Sequence, residues 1–297
     1  MKIIRIVFAI SFAVILAAST FAQTSAPKSH WAKYDNGKVH YYDIGNHRSK
    51  NALILIHGWT CNADFWKDSY NAFPAYRVIA IDLPGHGQSD KPKANYSMEY
   101  FARSIEAVMK NAKVEKAVLV GHSMGTPVVR QFYRIYPEQT LGLVIVDGAL
   151  RPFGPKAQIE KFFEPLIKNY KEQAPKFIDG LLGPTRADLK AGIKTAMLAT
   201  PDYVGIGAMN GMIDDSIWTN DQIKVPVLAV MNGEGQWPPD NESVYKAIAP
   251  NLEYVAWKGV SHFLFMEKPK EFNEVVYSFI VKNKLLNSSL RPFTIYS

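Results

Sequence analysis

The chain of 297 residues contains a single cysteine, Cys61. One thiol cannot close an intramolecular disulfide, so a disulfide-stapled scaffold is excluded and the fold must rest on a hydrophobic core. Cys61 itself reads as a small buried apolar residue. No histidine, cysteine and carboxylate cluster has metal-ligand spacing, which argues against a metal site, and no motif calls for a cofactor. The net charge of +7 is not gathered into a basic run or an aromatic-interleaved stripe. The lysines are mixed with acidic residues, so the charge reads as a solvated surface and argues against a nucleic-acid partner. No apolar run reaches the ~20 residues needed to span a bilayer. Internal repeats and low-complexity tracts are also lacking, and nothing in the sequence speaks to oligomeric state.

What is present begins with an N-terminal leader, "MKIIRIVFAISFAVILAASTFAQTS". Lys2 and Arg5 form a short basic region, Ile6 to Ala18 an apolar stretch, and Thr20-Phe21-Ala22 places small residues where a signal peptidase cuts. Residues 1–22 are therefore expected to be a cleaved signal, and the chain from Gln23 to be secreted or periplasmic without a stable membrane anchor. Hydrophobic residues make up 47% and charged residues 21%, which is ordinary for a globular domain with a sizeable core.

Short apolar, β-branched runs recur at 38–44, 52–57, 77–82, 116–121, 142–147, 225–230 and 252–257. The central ones are continuously apolar, as strands buried on both faces should be. Helical patterns separate them. Over 97–112 the residues Phe101, Ile105, Val108 and Met109 share one face, and Ser97 can cap the start. Further helices are expected at 125–136 and 269–285, the latter opened by Pro269. Strands alternating with helices predict an α/β domain around a mostly parallel sheet.

The alternation stops after Asp147 and resumes near Lys224. Residues 158–173 carry Ile159, Phe162, Phe163, Leu166 and Tyr170 at helical spacing, with Pro165 expected to kink or split the helix. Helical pieces are also expected at 186–199 and 203–213. The layout is thus a core over 23–148, a helical cap inserted at 149–223, and the rest of the core over 224–297.

Within the core, "GHSMG" (121–125) fits G-x-S-x-G directly after a predicted strand and before a predicted helix. In such a tight turn the serine is strained and side chains at the flanking positions would collide with neighbouring elements. The turn lifts the Ser123 hydroxyl above the sheet, and the helix N-terminus sets backbone N–H groups beside it. A serine needs a base. Of seven histidines, His262 in "KGVSHFLFMEKP" is the best placed, after the last strand and before the last helix. His122, His57 and His86 are expected to be structural.

These motifs make the chain resemble the α/β-hydrolase family over about residues 35 to 285, in its serine-nucleophile, esterase-like branch with a helical cap. "HGWTCNADFW" (57–66) is similar to the family's oxyanion loop, "DLPGHGQSD" (82–90) to the stretch after its fourth strand, "GHSMG" to the nucleophile elbow, and "SHFLFMEKPKEF" to the histidine segment. The resemblance implies an oxyanion hole from the backbone N–H groups of Trp59 and Met124. A serine nucleophile argues against the dehalogenase and epoxide-hydrolase branches.

One part departs from the pattern. Many relatives place the acid after the seventh strand, three residues beyond a glycine, and here that position is Gln236. A neutral amide cannot stabilise an imidazolium, and losing that charge costs ~10⁴ in turnover in a triad. Asp147, at the end of the sixth strand, keeps the order Ser, Asp, His and is the preferred candidate. Its bland alternative is a turn residue bonding its own loop. Glu234 and Asp240 are the other candidates, although Asp240 also suits a helix cap. A chain with no working acid is the remaining alternative.

A Ser-His-acid site under a cap suits acyl transfer to water on a small-molecule ester or lactone. Trp66, Met209, Met212 and Trp218 are candidates to line an apolar pocket, with Met197 and Trp59 nearby, or else to pack the cap on the core. Amides, N-terminal peptides and carbon–carbon bonds are alternatives that fold alone does not separate. So is a catalytically weak ligand-binding homologue, which Gln236 would favour.

Overall fold

The computed structural model describes residues 27–234 and 237–287. The expected leader, residues 1–22, and Gln236 lie outside the described residues. Eight strands form one sheet: β1 (Lys28–Tyr34), β2 (Gly37–Ile44), β3 (Asn51–Ile56), β4 (Val78–Ile81), β5 (Lys116–His122), β6 (Thr140–Val146), β7 (Val227–Asn232) and β8 (Leu252–Trp257). Their order is β1-β2-β4-β3-β5-β6-β7-β8. From β4 to β8 every pairing is parallel, while β2 runs antiparallel to both β1 and β4. This is the α/β architecture that the strand–helix alternation implies.

The apolar runs explain why β3 to β7 are central. All four residues of β4 and all six of β7 are buried, because helices cover both faces of a parallel sheet. Each fully buried leucine, isoleucine or valine there contributes about 1.5–3 kcal/mol. β1 was not expected from the sequence. Its residues KSHWAKY include one buried side chain, Ala32, so an edge strand left no apolar run to find. Its ladder to β2 pairs Lys28 with Asp43 through Tyr34 with Gly37.

Helices α1 (Met98–Ala112) and α2 (Gly125–Ile135) follow β4 and β5. Ser97 caps α1 by accepting the Tyr100 N–H at 3.1 Å. Between β6 and β7 the chain forms α3 (Lys156–Lys168), α4 (Tyr170–Leu182), α5 (Ala187–Leu198) and α6 (Asp202–Ile213). The expected helix over 158–173 is divided, but at Asn169 and not at Pro165. The chain carries Pro165 inside α3, and Asn169 leaves helical backbone at φ −134°, ψ 58° with its N–H on the Pro165 carbonyl. After β7 come α7 (Asn241–Ile248), then β8, α8 (Leu264–Glu267) and α9 (Pro269–Lys282), with Pro269 in the first turn of α9.

The parallel register sets the level of the site. Gly121 of β5 pairs with Ile56 of β3 and Ile145 of β6, and His122 pairs with Val146. The residues just beyond β3, β5 and β6 therefore emerge side by side at the carboxyl edge of the sheet, where ligands bind in α/β folds.

Candidate active site

Ser123 follows β5 with φ +53°. For a residue with a Cβ this left-handed backbone costs on the order of 1 kcal/mol. The surroundings hold it there: its N–H donates to the Val146 carbonyl and its own carbonyl accepts from the Thr126 N–H, both at 2.9 Å. The turn has no room at Gly121, where a Cβ would strike the Gly125 carbonyl, or at Gly125, where it would lie 2.8 Å from the Ile56 oxygen. Gly148 was missed by the sequence reading and is equally constrained. A Cβ there would overlap the Thr126 side chain and lie 2.7 Å from the Ser123 oxygen.

Asp147 repeats the device one strand over. It leaves β6 at φ +42°, with its N–H on the Val230 carbonyl at 2.9 Å. This turns its carboxylate, wholly buried, towards the loop after β8. Oδ2 accepts from His262 Nδ1 at 2.7 Å. Oδ1 accepts from the Asn232 N–H at 2.9 Å and from Trp237 Nε1 at 2.7 Å. With Nδ1 donating to the carboxylate, the Nε2 of a neutral His262 ring is a bare lone pair able to take a proton. Ser123, Asp147 and His262 line one cavity.

The other carboxylates are engaged elsewhere. Glu234 accepts the Gly259 N–H at 2.7 Å. Asp240 precedes α7 without capping it through its side chain and instead pairs with Arg151 at 2.8 Å. Short local bonds are available to both, so neither reaches His262.

Trp59 and Met124, the residues expected to supply oxyanion N–H groups, follow β3 and Ser123. Among the described residues neither of these N–H groups is engaged in a hydrogen bond. Met124 also abuts the N-terminus of α2, where the helix dipole favours negative charge. Gly58 allows the close approach of the loop, since a Cβ there would lie 2.9 Å from His122 Nδ1 and 3.1 Å from Ser123 Cβ.

Three buried histidines brace these loops. His122 donates from Nε2 to the His262 carbonyl at 2.9 Å, and burial together with neighbouring His262 holds its pKa well below the usual value. His57 accepts the Leu83 N–H at Nε2 and donates from Nδ1 to the Gly58 carbonyl, with its pKa lowered by burial. His86 bonds the Pro84 carbonyl, and burial pushes its pKa down to about 3. The Cys61 thiol is buried, which raises its pKa.

The cap is tied to both flanking loops. Trp59 Nε1 donates to the Gly205 carbonyl of α6 at 2.8 Å, and Thr200 donates to the Thr60 carbonyl at 3.0 Å. On the other side Thr185 donates to Ser261 Oγ at 2.5 Å, next to His262.

The cavity has a volume of about 470 Å³, within the range of small-molecule sites. Phe153, Ile159, Phe162 and Phe163 wall one side, Phe177 and Leu181 another, and Met209 and Met212 of α6 also face it. Two expected lining residues do not. Trp66 is 1% exposed and packs 4.1 Å from the Phe265 ring, behind the site, because its short helical turn faces α8 and α9. Trp218 stands outside the wall, edge-on to Phe153 at 6.3 Å, and borders a separate cleft with Thr219 and Ile248. The phenylalanines of α3 and α4 and Trp237 were visible in the sequence only as core candidates, or not singled out. The cavity's ionisable lining groups among the described residues are Asp147 and His262, and Ser123 and Gln158 add neutral polar groups.

Comparisons with known proteins agree with this fold. Residues 51–191 match the family model of the alpha/beta hydrolase fold. The chain has the α/β-hydrolase fold. It is 26% identical to a 2-hydroxy-6-oxononadienedioate/2-hydroxy-6-oxononatrienedioate hydrolase of Paraburkholderia phymatum, over 88% of this chain and 98% of that protein. Among solved structures it is similar to an N-acyl homoserine lactone degrading enzyme, with TM-score 0.71 and 25% identity over 84% of this chain and all of the other. A thermophilic esterase gives TM-score 0.70 and 27% identity over 87% of this chain and 99% of the other.

Proposed function

We propose that this α/β-hydrolase cleaves an uncharged carboxylic ester or lactone through an acyl-enzyme on Ser123. The observation that carries the reading is the 2.7 Å bond between His262 Nδ1 and the buried Asp147 carboxylate, on the rim of the cavity that holds Ser123. His262 Nε2 takes the Ser123 proton as Oγ attacks the carbonyl. The oxyanion is held by the Trp59 and Met124 N–H groups. The protonated imidazole, stabilised by Asp147, gives its proton to the leaving alkoxide, and His262 then activates the water that releases the acid. A lactone follows the same steps, with the leaving alkoxide still joined to the acyl group.

The cavity supports an apolar acyl group. Its lining carries no cationic side chain among the described residues to offset a substrate carboxylate, which weighs against the dioate in the name of the Paraburkholderia relative. Burying an unpaired carboxylate would cost several kcal/mol. The names of the lactone-degrading enzyme and the esterase favour the ester and lactone class. The leader with Lys2, Arg5 and its apolar stretch supports export of the chain from Gln23.

The test is hydrolysis of p-nitrophenyl esters of rising acyl length, alongside a half-ester of equal length ending in a carboxylate. Neutral esters should be turned over, with kcat/KM for the charged one lower by roughly tenfold or more. Equal rates for the two would sink the apolar-substrate reading. No turnover of any ester or lactone would sink the reaction class.

A further inference from the structure

We infer that Trp237 is a positioning residue that links occupancy of the cavity to the Asp147–His262 pair. The inference rests on the serine-hydrolase reading above. Two properties of one ring carry it. Its Nε1–H lies 2.7 Å from Asp147 Oδ1, the oxygen that does not face His262. Its face lines the cavity and stacks on Phe153 at 6.3 Å with an interplanar angle of 24°. A molecule filling the cavity therefore touches the group that holds the acid.

The segment after β7, where the family pattern would put its acid, supplies donors here. Asn232, the last residue of β7, gives its backbone N–H to Asp147 Oδ1, and Trp237 gives its indole N–H to the same oxygen. The carboxylate stands at the end of the neighbouring strand, and the segment after β7 helps to keep it oriented. Filling the wall does not require such a bond. Among the described residues the buried indole nitrogen of Trp66, behind the site, has no partner, and that of the wall residue Trp59 bonds a cap carbonyl.

The sign of the effect follows from charge. A neutral N–H on Oδ1 draws carboxylate charge away from the imidazolium. Replacing Trp237 by phenylalanine keeps a ring against Phe153 and removes only the donor. The carboxylate then attracts the protonated His262 more strongly, so the base stays protonated to higher pH. With one fewer anchor the carboxylate is also less well oriented, which lowers the plateau rate.

The experiment compares the chain from Gln23 with its Trp237→Phe variant. A fluorophosphonate probe is used to measure inactivation rate across pH, and ester kcat and KM are measured in parallel. The variant should show the acid limb of its profile displaced upward by about half a pH unit or more. Its plateau should fall about tenfold in kcat, on the order of one charge-assisted hydrogen bond, with KM little changed. An acid limb that does not move overturns the inference, whatever happens to the plateau, because a wall residue alone would change KM or stability. Failure of the unmodified chain to react at any pH instead overturns the serine-hydrolase reading. Should the variant not fold, the ¹⁵N indole resonance of Trp237 in the unmodified chain decides. It must move through the same pH window as the acid limb, and a signal indifferent to that titration overturns the inference.

Discussion

Two serine–histidine–aspartate constellations occur in this molecule. In one, His262 Nδ1 bonds Asp147 at 2.7 Å beside Ser123. In the other, His40 Nδ1 bonds Asp82 at 2.8 Å, and His40 Nε2 lies 3.0 Å from Ser29 Oγ. Each acid also takes two further donors: Asn232 and Trp237 for Asp147, Ala63 and Gln88 for Asp82. The two acid–histidine pairs are closely alike, and His40 is in addition hydrogen-bonded to its serine.

Their surroundings differ. Ser123 stands at positive φ between a strand and a helix N-terminus and lines a cavity that Trp59 also lines. Ser29 lies within an ordinary antiparallel ladder, paired to Tyr42, and neither it nor His40 lines a described cavity. His40 is wholly buried. A relay of hydrogen bonds thus makes a tie, not a nucleophile, unless an electrophile can reach the oxygen and a developing oxyanion finds donors. The tie has a use. Asp82 gathers β2, the Ala63 N–H and the Gln88 N–H, and so braces the loop that follows Trp59.

The largest expected effect separates the two serines. Ser123→Ala should lower ester turnover by about 10⁵-fold or more and end fluorophosphonate labelling, while Ser29→Ala should change turnover less than about twofold, within the small effects usual for surface substitutions. Peptide mapping that finds label on Ser29 would break the distinction. Next come the two acids. Asp147→Asn should reduce kcat per folded molecule by about 10⁴. Asp82→Asn should cost about 2–3 kcal/mol of stability for bonds to a charged acceptor with kcat per folded molecule nearly kept. Matching losses of kcat in both would merge the two constellations.

Taken per residue and per pH unit, the smallest effect concerns acid. His57, His86 and His122 are buried with lowered pKa values. Above the unfolded value of ~6.5 both states are neutral at these residues. Below it the unfolded chain binds protons that the folded chain refuses, so stability falls with pH by up to about 1.4 kcal/mol per unit for each. Urea midpoints measured between pH 7 and 5 should therefore drop with a slope approaching three protons. A flat profile would mean that these histidines accept protons in the folded state.

How much of this was legible differs by residue, and the reasons are physical. The elbow was readable because G-x-S-x-G after an apolar run is a local pattern, although only Gly121 is demanded by contacts within the turn and Gly125 by the Ile56 carbonyl of β3. Gly148 was not, because the atoms that exclude a side chain there belong to Ser123 and Thr126, more than twenty residues away in the chain. The cap helices were legible from periodicity, but which of their faces meets the cavity was not. Hence Met209 and Met212 line it while Trp66 and Trp218 stand apart.

The sequence by itself determined the α/β alternation, the inserted helices, the strained serine turn and a short set of candidate acids. Each depends on neighbours within a few residues or on the spacing of apolar side chains. Only the tertiary structure decided that Asp147 meets His262, that Trp237 and Asn232 hold its other oxygen, and that Ser29 and His40 form a tie without a cavity. Those outcomes depend on which loops emerge together at the carboxyl edge of the sheet. For the Asp147 site strand order sets that, through contacts between residues as far as 115 positions apart.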